Sequence, residues 1–296
     1  MIDADLHIHS HCSPDGEFGV SGIVDKCLSR KIGVFSLTDH NSVKGIEEAG
    51  TLAQQANIDF IPGIEIDCNY KGTDLHVLGY RVNWKSPDFV QLEEGFSAKA
   101  MNSFTEMIAR INKLGFTIDA DTVLAKANGK LPTGELIAEI LLSDEKYRSP
   151  LLSPYMEGGE RSDMPYINFY LDYFAQGKPA YVSIDHIRYK NAIEIIKDNG
   201  GIPVVAHPGL NLKGKENITE ELLDEGAEGL EIFNNYHNTD QIVYFASLVQ
   251  LRKAIMTCGS DFHGKTKPLI DIGQYKFEQR FENYLTNSLQ QLKSHT

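Results

Sequence analysis

Cysteine is scarce in this chain, and its four copies (Cys12, Cys27, Cys68 and Cys258) lie far apart with no C-x-x-C pair. That scatter argues against a disulfide framework and predicts reduced thiols, hence a cytoplasmic protein. No apolar run approaches the roughly 20 residues needed to cross a bilayer, so no membrane association is expected. The opening MIDADLHIHS has neither the basic nor the apolar region of a signal peptide. Cations are in deficit: 28 Lys and Arg stand against 41 Asp and Glu, a formal net charge of −13. Such a surface repels nucleic-acid backbones on average, so no long nucleic acid is expected as a partner. Any phosphate-bearing substrate then needs local cations. There is no G-x-S-x-G nucleophile motif, no internal repeat and no low-complexity tract.

What remains is a 296-residue chain with 42% hydrophobic residues, a size and composition that suit one large α/β domain or one domain with an insertion. The first 82 residues alternate apolar runs with amphipathic stretches. ADLHIHS, GVFSLTDH, IDFIPGIEI and TDLHVLGYRV read as strands. Val20 to Leu28 carries a helical stripe at 20, 23, 24, 27 and 28, and SVKGIEEAGTLAQQAN reads as a helix with Ser42 as its N-cap. This βαβα order is typical of a parallel sheet or barrel.

The character changes near Trp84. FVQLEEGFSAKAMNSFTEMIARINKLG is a long helix closed by Gly115. PTGELIAEILLSD and MPYINFYLDYFAQG are shorter ones, and SPLLSPYMEGGERSD between them reads as a loop. After Gly177 the alternation resumes: IPVVAHPG, GLEIFNNYHN and KAIMTCGSDFHG each run from an apolar strand into polar residues, with helices expected at 190–198, 219–225 and 239–253. The pattern predicts an α/β barrel-like domain over 1–83 and 178–296, interrupted by a helical insertion at 84–177 that is placed to act as a lid or substrate-binding element.

The polar residues at the predicted strand ends are His7, His9, Asp39, His40, Glu65, His76, His207, Asp261 and His263. In parallel α/β folds ligands gather at the carboxyl ends of strands. Six of the ten histidines occupy such places. Residues i and i+2 of a strand share a face, so His7 and His9 can reach one ion. Mixed imidazole and carboxylate donors suit zinc, manganese or iron(II), and nine donors are too many for one ion, implying two or three metals with shared ligands. Simpler readings exist: His76 as a satisfied strand residue, Asp39 as a helix cap. Glu65 is harder to dismiss, because a carboxylate inside the apolar run IPGIEI should pair or bind a metal. His11 continues the spacing of two but lies past the expected strand end, and is read as no ligand. His186 and His295 lie in polar contexts and are read as exposed.

The H-x-H of His7 and His9 with Asp15-Gly16, the T-D-H at 38–40, the A-H-P at 206–208 and the S-D-F-H-G at 260–264 resemble, in order, the motifs of the polymerase and histidinol phosphatase (PHP) superfamily. GKPAYV followed by a helix and GGIPVVAHPG is similar to its small stand-alone metal-dependent phosphoesterases. The resemblance implies a distorted (β/α)7 TIM-like barrel with a trinuclear metal centre. Metal one would take His7, His9, Glu65 and Asp261; metal two Glu65, His76 and His207; metal three Asp15, His40 and His263. Asp39 would orient an imidazole or a bound water. The implied activity is hydrolysis of phosphate mono- or diesters of a small metabolite or nucleotide by metal-bound hydroxide, with Asp261, His263 or a metal-bound water as the leaving-group acid.

Lys178, Arg161, Arg188 and His237 are the candidates for holding the substrate; Lys130 and Thr133 are weaker ones. Exonuclease-like trimming of short oligonucleotides, a non-catalytic metal-binding PHP domain, a histidinol phosphatase and a metal-dependent amidohydrolase are the alternatives. The sequence sets neither the oligomeric state nor the native metal.

Overall fold

The computed structural model describes residues 3–294; His295 lies outside them. Eight strands, β1 (Ala4–Ile8), β2 (Val34–Leu37), β3 (Asp59–Tyr70), β4 (Thr73–Tyr80), β5 (Ile187–Arg188), β6 (Ile202–Val205), β7 (Gly229–Phe233) and β8 (Ile255–Cys258), form one sheet. Among the described residues eleven α-helices accompany them: α1 (Val20–Arg30), α2 (Ile46–Ala56), α3 (Pro87–Lys113), α4 (Ala120–Ala127), α5 (Gly134–Ser143), α6 (Pro165–Tyr173), α7 (Tyr189–Asp198), α8 (Pro208–Asn211), α9 (Ile218–Asp224), α10 (Thr239–Arg252) and α11 (Glu282–Ser294). None of the described helices is long and apolar enough to cross a membrane.

The strand order is β1-β2-β3-β4-β6-β7-β8, with β5 pairing β3. The two flanks are parallel, but β3 with β4 and β4 with β6 are antiparallel. The sheet is therefore mixed, where βαβα order predicts a parallel one. The cause is local: Lys71 and Gly72 both take positive φ (49° and 85°), the geometry of a two-residue hairpin turn. No strand ladder closes β1 onto β8 among the described residues. Just beyond the strands, however, His9 N–H donates to the Phe262 carbonyl (3.0 Å) and Asp261 N–H to that of His7 (2.9 Å). The two ends of the sheet thus meet where the polar residues collect.

Burial explains the elements. VFSL of β2 is wholly buried, as expected of a parallel strand covered on both faces. In α1 the buried residues Val20, Ile23, Val24 and Cys27 make one helical stripe. Ser42 does not cap α2: the cap position is Gly45, and the Ser42 hydroxyl accepts from Lys44 N–H at 3.4 Å.

From Pro87 to Tyr173 the regular elements are helical, and even the segment read as a loop forms a 3₁₀ helix, Pro150–Tyr155. These helices bury a cluster of their own around Phe104, Ile111, Phe116, Ile137, Phe169 and Phe174, separate from the sheet's core. The 27-residue α3, about 40 Å long at 1.5 Å per residue, joins the two: Phe89 and Leu92 pack in the sheet's core, Phe104, Ile108 and Ile111 in the helical one.

Candidate metal centre

The carboxyl ends of β1, β2, β6 and β8 meet beside the middle of the β3–β4 hairpin. β1 supplies His7, and the chain just after it His9. The T-D-H segment after β2 runs along β3: Asn41 N–H donates to the Glu65 carbonyl (2.7 Å) and Glu65 N–H to that of Asp39 (3.2 Å), which sets His40 beside Glu65. His207 and Asp261 follow β6 and β8 with positive φ of 24° and 59°, conformations rare outside glycine. Gly259 lets β8 end against β1, because a Cβ there would stand 2.2 Å from the Cβ of His7. Gly16 plays the same part for Asp15: its Cβ would lie 2.0 Å from the Ser10 carbonyl oxygen, so the loop folds back only with glycine.

Glu65, wholly buried, is the hub. Its Oε2 lies 3.2 Å from Nε2 of both His7 and His9 and 3.4 Å from His40 Nδ1. Its Oε1 lies 2.9 Å from His76 Nδ1 and 3.2 Å from His207 Nε2. Asp261 Oδ1 stands 3.2 Å from His9 Nε2 and 3.5 Å from His7 Nε2. On the outer side, Asp15 Oδ2 is 3.1 Å from His263 Nε2 and 3.8 Å from His40 Nε2.

Four overlapping groups place their donor atoms within 4.8 Å of one another: His9, Asp15, His40 and His263; His7, Glu65 and His207; His7, His9 and Asp261; His40, Asp67 and His76. All nine residues expected as ligands fall in these groups, which could hold metal ions.

Two observations test whether the donor set fits a cation. The buried Nε2 of His9 has no hydrogen-bond partner, although Glu65 and Asp261 each put an oxygen 3.2 Å away. Burial, with the nearby His263, lowers the His9 pKa to about 4, so its lone pair is free to bind. His7 and His40 go the other way. Burial alone would lower them, but Glu65 and Glu231 around His7, and Asp67 and Glu65 around His40, hold both well above the usual value. Burial would likewise raise Glu65, yet the charges of His7, His40 and His76 hold it well below the ordinary carboxylate range. Carboxylates packed this tightly call for positive charge, and a divalent cation replaces the imidazole protons when it binds.

Behind the donors lies a supporting set that sequence reading missed in part. Glu231 Oε1 sits 2.9 Å from His7 Nδ1, and its Oε2 accepts from His207 N–H at 2.9 Å. Asp67 Oδ1 lies 2.9 Å from His40 Nδ1 and 3.6 Å from His76 Nε2, while Asn41 Nδ2 donates to its Oδ2 at 2.8 Å. Both acids carried a readable signal. Glu231 is a carboxylate in the apolar run GLEIF, as Glu65 is in IPGIEI, and Asp67 repeats Glu65 at a spacing of two. Asp39 grips Ser10 instead of an imidazole, accepting from its N–H (2.6 Å) and hydroxyl (2.7 Å), and burial pushes its pKa up to about 6.

The substrate candidates fare differently. His237 is fully buried and has both ring nitrogens occupied: Nδ1 donates to the Ile232 carbonyl (2.9 Å) and Nε2 accepts from Gly209 N–H (2.8 Å). It braces α8 behind His207. Arg161 is clasped inside the helical segment, its Nε and Nη2 each 3.0 Å from the Asp172 carboxylate. Lys178 and Arg188 are exposed, and Arg188 pairs with Asn69 near the end of β3. Lys130 is exposed, and Thr133 caps α5, accepting from Leu136 N–H at 3.1 Å. His11 is exposed and outside the four groups; His186 is half-buried and stacked on Phe96 at 5.9 Å, less open than its polar context suggested. The helical segment comes up to the centre through α5. Glu135, in the first turn of α5, is 9% exposed, and burial with the negative charge of Asp15 pushes its pKa up to about 7.

The chain is 26% identical over 280 residues to a 3',5'-nucleoside bisphosphate phosphatase of Chromobacterium violaceum, covering 92% of this chain and 91% of that one. It is 27% identical over 278 residues to a 5'-3' exoribonuclease of Haemophilus influenzae, covering 90% and 95%. The fold matches that of an amidohydrolase from Chromobacterium violaceum, solved with bound sulfate and no metal, at a TM-score of 0.76 and 23% identity, over 97% of this chain and 96% of that one. The PHP domain model matches residues 5–234, most of the chain and all but the last of its four motifs. The chain belongs to the PHP domain family.

Proposed function

We propose that this chain is a metal-dependent phosphoesterase that hydrolyses a phosphate mono- or diester of a small metabolite or nucleotide. The observation that carries this is the convergence of the four ligand groups on Glu65, with the unpartnered Nε2 of His9 among carboxylate oxygens. Our assignment gives one ion His7, His9, Glu65 and Asp261, a second Glu65, His76 and His207, and a third Asp15, His40 and His263. Zinc, manganese or iron(II), bound there, would lower the pKa of a water and take up charge on the phosphoryl oxygen.

The protein's own part is to hold and orient this set. Glu231 and Asn211 fix the rings of His7 and His207 through Nδ1, at 2.9 and 2.6 Å. The Asp261 carbonyl, 2.9 Å from His263 Nδ1, fixes that nitrogen as the protonated one and turns Nε2 to Asp15. These contacts favour ligand roles for Asp261 and His263 over a leaving-group acid. Lys178 and Arg188 are the exposed cations we assign to the substrate's phosphate. The four unpaired cysteines suit the cytoplasm.

A second reading, trimming of short RNA from a 5' end, has the exoribonuclease relative in its favour. One screen decides. Chelator-stripped protein is resupplied with manganese and given nucleoside bisphosphates, cyclic phosphates, simple monoesters, short oligoribonucleotides and amides. Turnover of a phosphate ester that returns only with metal is expected, and the preferred ester separates the two readings. Metal-independent turnover, or turnover of amides alone, would overturn the proposal.

A further inference from the structure

Past the S-D-F-H-G motif lies a cation that none of the ligand groups uses. Lys267 is only 8% exposed, in a chain with 13 more acidic than basic residues. Its Nζ is 2.6 Å from Asp261 Oδ2 and 2.8 Å from the Tyr236 hydroxyl oxygen, to which it donates. The Tyr236 hydroxyl in turn donates to the same Oδ2. Oδ2 thus accepts from an ammonium and a phenol on one side. The other oxygen, Oδ1, faces His9 Nε2 at 3.2 Å, His7 Nε2 at 3.5 Å and His263 Nδ1 at 3.4 Å. The ring of Tyr236 stands edge-on to His207, with centroids 5.6 Å apart, so the clamp is packed against the centre itself.

The arrangement divides the two oxygens of one carboxylate. A free carboxylate offers both to a cation and rotates between them. Here rotation about the Cβ–Cγ bond would break both contacts to Oδ2. The backbone is constrained as well, with Asp261 at φ 59° and its N–H tied to the His7 carbonyl at 2.9 Å. An ammonium is costly to bury unless paired, so the burial of Lys267 requires the ion pair. The hydroxyl of Tyr236 adds direction that a lone charge lacks.

We infer that Lys267 and Tyr236 are positioning residues that hold Asp261 in single-oxygen coordination, committing Oδ1 to the cation shared with His7 and His9. The inference rests on the metal-centre reading above. It separates the role of the segment 264–267 into two parts: Lys265 reaches outward to Glu139 of α5 at 2.7 Å, and Lys267 reaches inward to the ligand.

The test is a binding measurement on the full chain. Chelator competition gives the affinity for manganese or zinc in the wild type, Lys267→Met, Lys267→Arg, Tyr236→Phe and Asp261→Asn. Removing a group that orients a ligand typically weakens metal affinity by about 10- to 100-fold, and that loss is expected in Lys267→Met. Tyr236→Phe should lose less, and Lys267→Arg should recover part. In an Asp261→Asn background Lys267→Met should add nothing, since both act through one contact. Cobalt-loaded Lys267→Met should show an altered absorption band as Asp261 becomes free to use both oxygens. If Lys267→Met misfolds, Tyr236→Phe, which removes one oxygen, carries the test. Unchanged or tighter metal binding in a folded variant, or additive losses with Asp261→Asn, would overturn the inference. A wild type that binds no metal would instead sink the metal-centre reading.

Discussion

The strand ends and the helical segment 87–173 spend their burial on opposite things. At the strand ends the buried groups are ionisable: His7, His9, Asp39, His207, Asp261 and His263 are all at most 2% exposed, as are Asp5, Glu65 and Glu231 within the strands behind them. In the helical segment they are aromatic and aliphatic, with Phe116, Tyr155, Phe169 and Tyr173 in edge-on and tilted contacts at 4.6–5.2 Å. A charged cluster has low tolerance for losing one member, because each charge is balanced by its neighbours. An apolar cluster loses stability in proportion to the volume removed. The first region should therefore fail in function and the second in stability.

The largest expected effect comes from the hub. Glu65→Gln should remove more than one equivalent of bound metal, because both carboxylate oxygens face imidazoles, and activity should fall by more than the ~10- to 100-fold typical of a supporting residue. Metal analysis beside a phosphatase assay checks it; a variant with the wild-type metal content would remove Glu65 from the centre. Glu231→Gln, one step behind His7 and His207, should lose about 10- to 100-fold in metal affinity or activity while keeping its fold. In the other region Phe169→Ala should cost about 3–5 kcal/mol in a denaturant melt. Metal affinity should nevertheless stay near the wild-type value, since Phe169 touches none of the ligands. Loss of metal binding in folded Phe169→Ala would show that the two regions are one unit.

Glu135 is where the regions touch, and it makes a pH prediction. Burial raises its folded-state pKa to about 7 from 4.5. In metal-free protein the folded state therefore keeps a proton that the unfolded chain has released between roughly pH 4.5 and 7. Its contribution is fully present below pH 4.5 and is lost as pH rises through 7. Glu135→Gln should match the wild type at pH 4 and exceed it by a few kcal/mol at most at pH 8. Parallel stability curves across that range would mean that Glu135 does not titrate there.

Much of this was legible beforehand, for a physical reason. Strands that end in polar residues announce the rim of an α/β sheet, and eight of the nine residues read from that rule fall in the four groups; Asp39 does not, and Asp15, which the motif resemblance supplied, does. The antiparallel turn of β4 was not legible from element order, because it depends on two residues, Lys71 and Gly72, at positive φ. Glu65 and His76, read as strand-end residues, lie within β3 and β4, as Asp67 and Glu231 lie within β3 and β7, so a rule confined to strand ends does not reach the last two. His237 shows the limit of the rule. A histidine at a strand end that binds an ion and one that braces a loop look alike until the partners of both ring nitrogens are seen, here Ile232 and Gly209. Lys267 carried no signal, since its ion pair with Asp261 exists only once the chain folds back after β8.

Arg161 gives the smallest expected effect and the finest test of the contrast. By composition it is a scarce cation in an acidic chain and a natural phosphate ligand. In the fold its guanidinium holds Asp172 with two contacts of 3.0 Å, and Asn168 Nδ2 returns a hydrogen bond to the Arg161 carbonyl at 3.1 Å. Tyr155 donates to the same Asp172 carboxylate at 2.8 Å, so the carboxylate keeps a partner when the arginine is removed. The pair is about one-third exposed, which limits it to about 1 kcal/mol. Arg161→Ala should therefore shift the melt by that amount and leave KM unchanged, whereas Lys178→Ala or Arg188→Ala should raise KM. A tenfold rise in KM for Arg161→Ala would mean that the arginine leaves Asp172 for the substrate, and the helical segment would then belong to the catalytic machinery as well as to the fold.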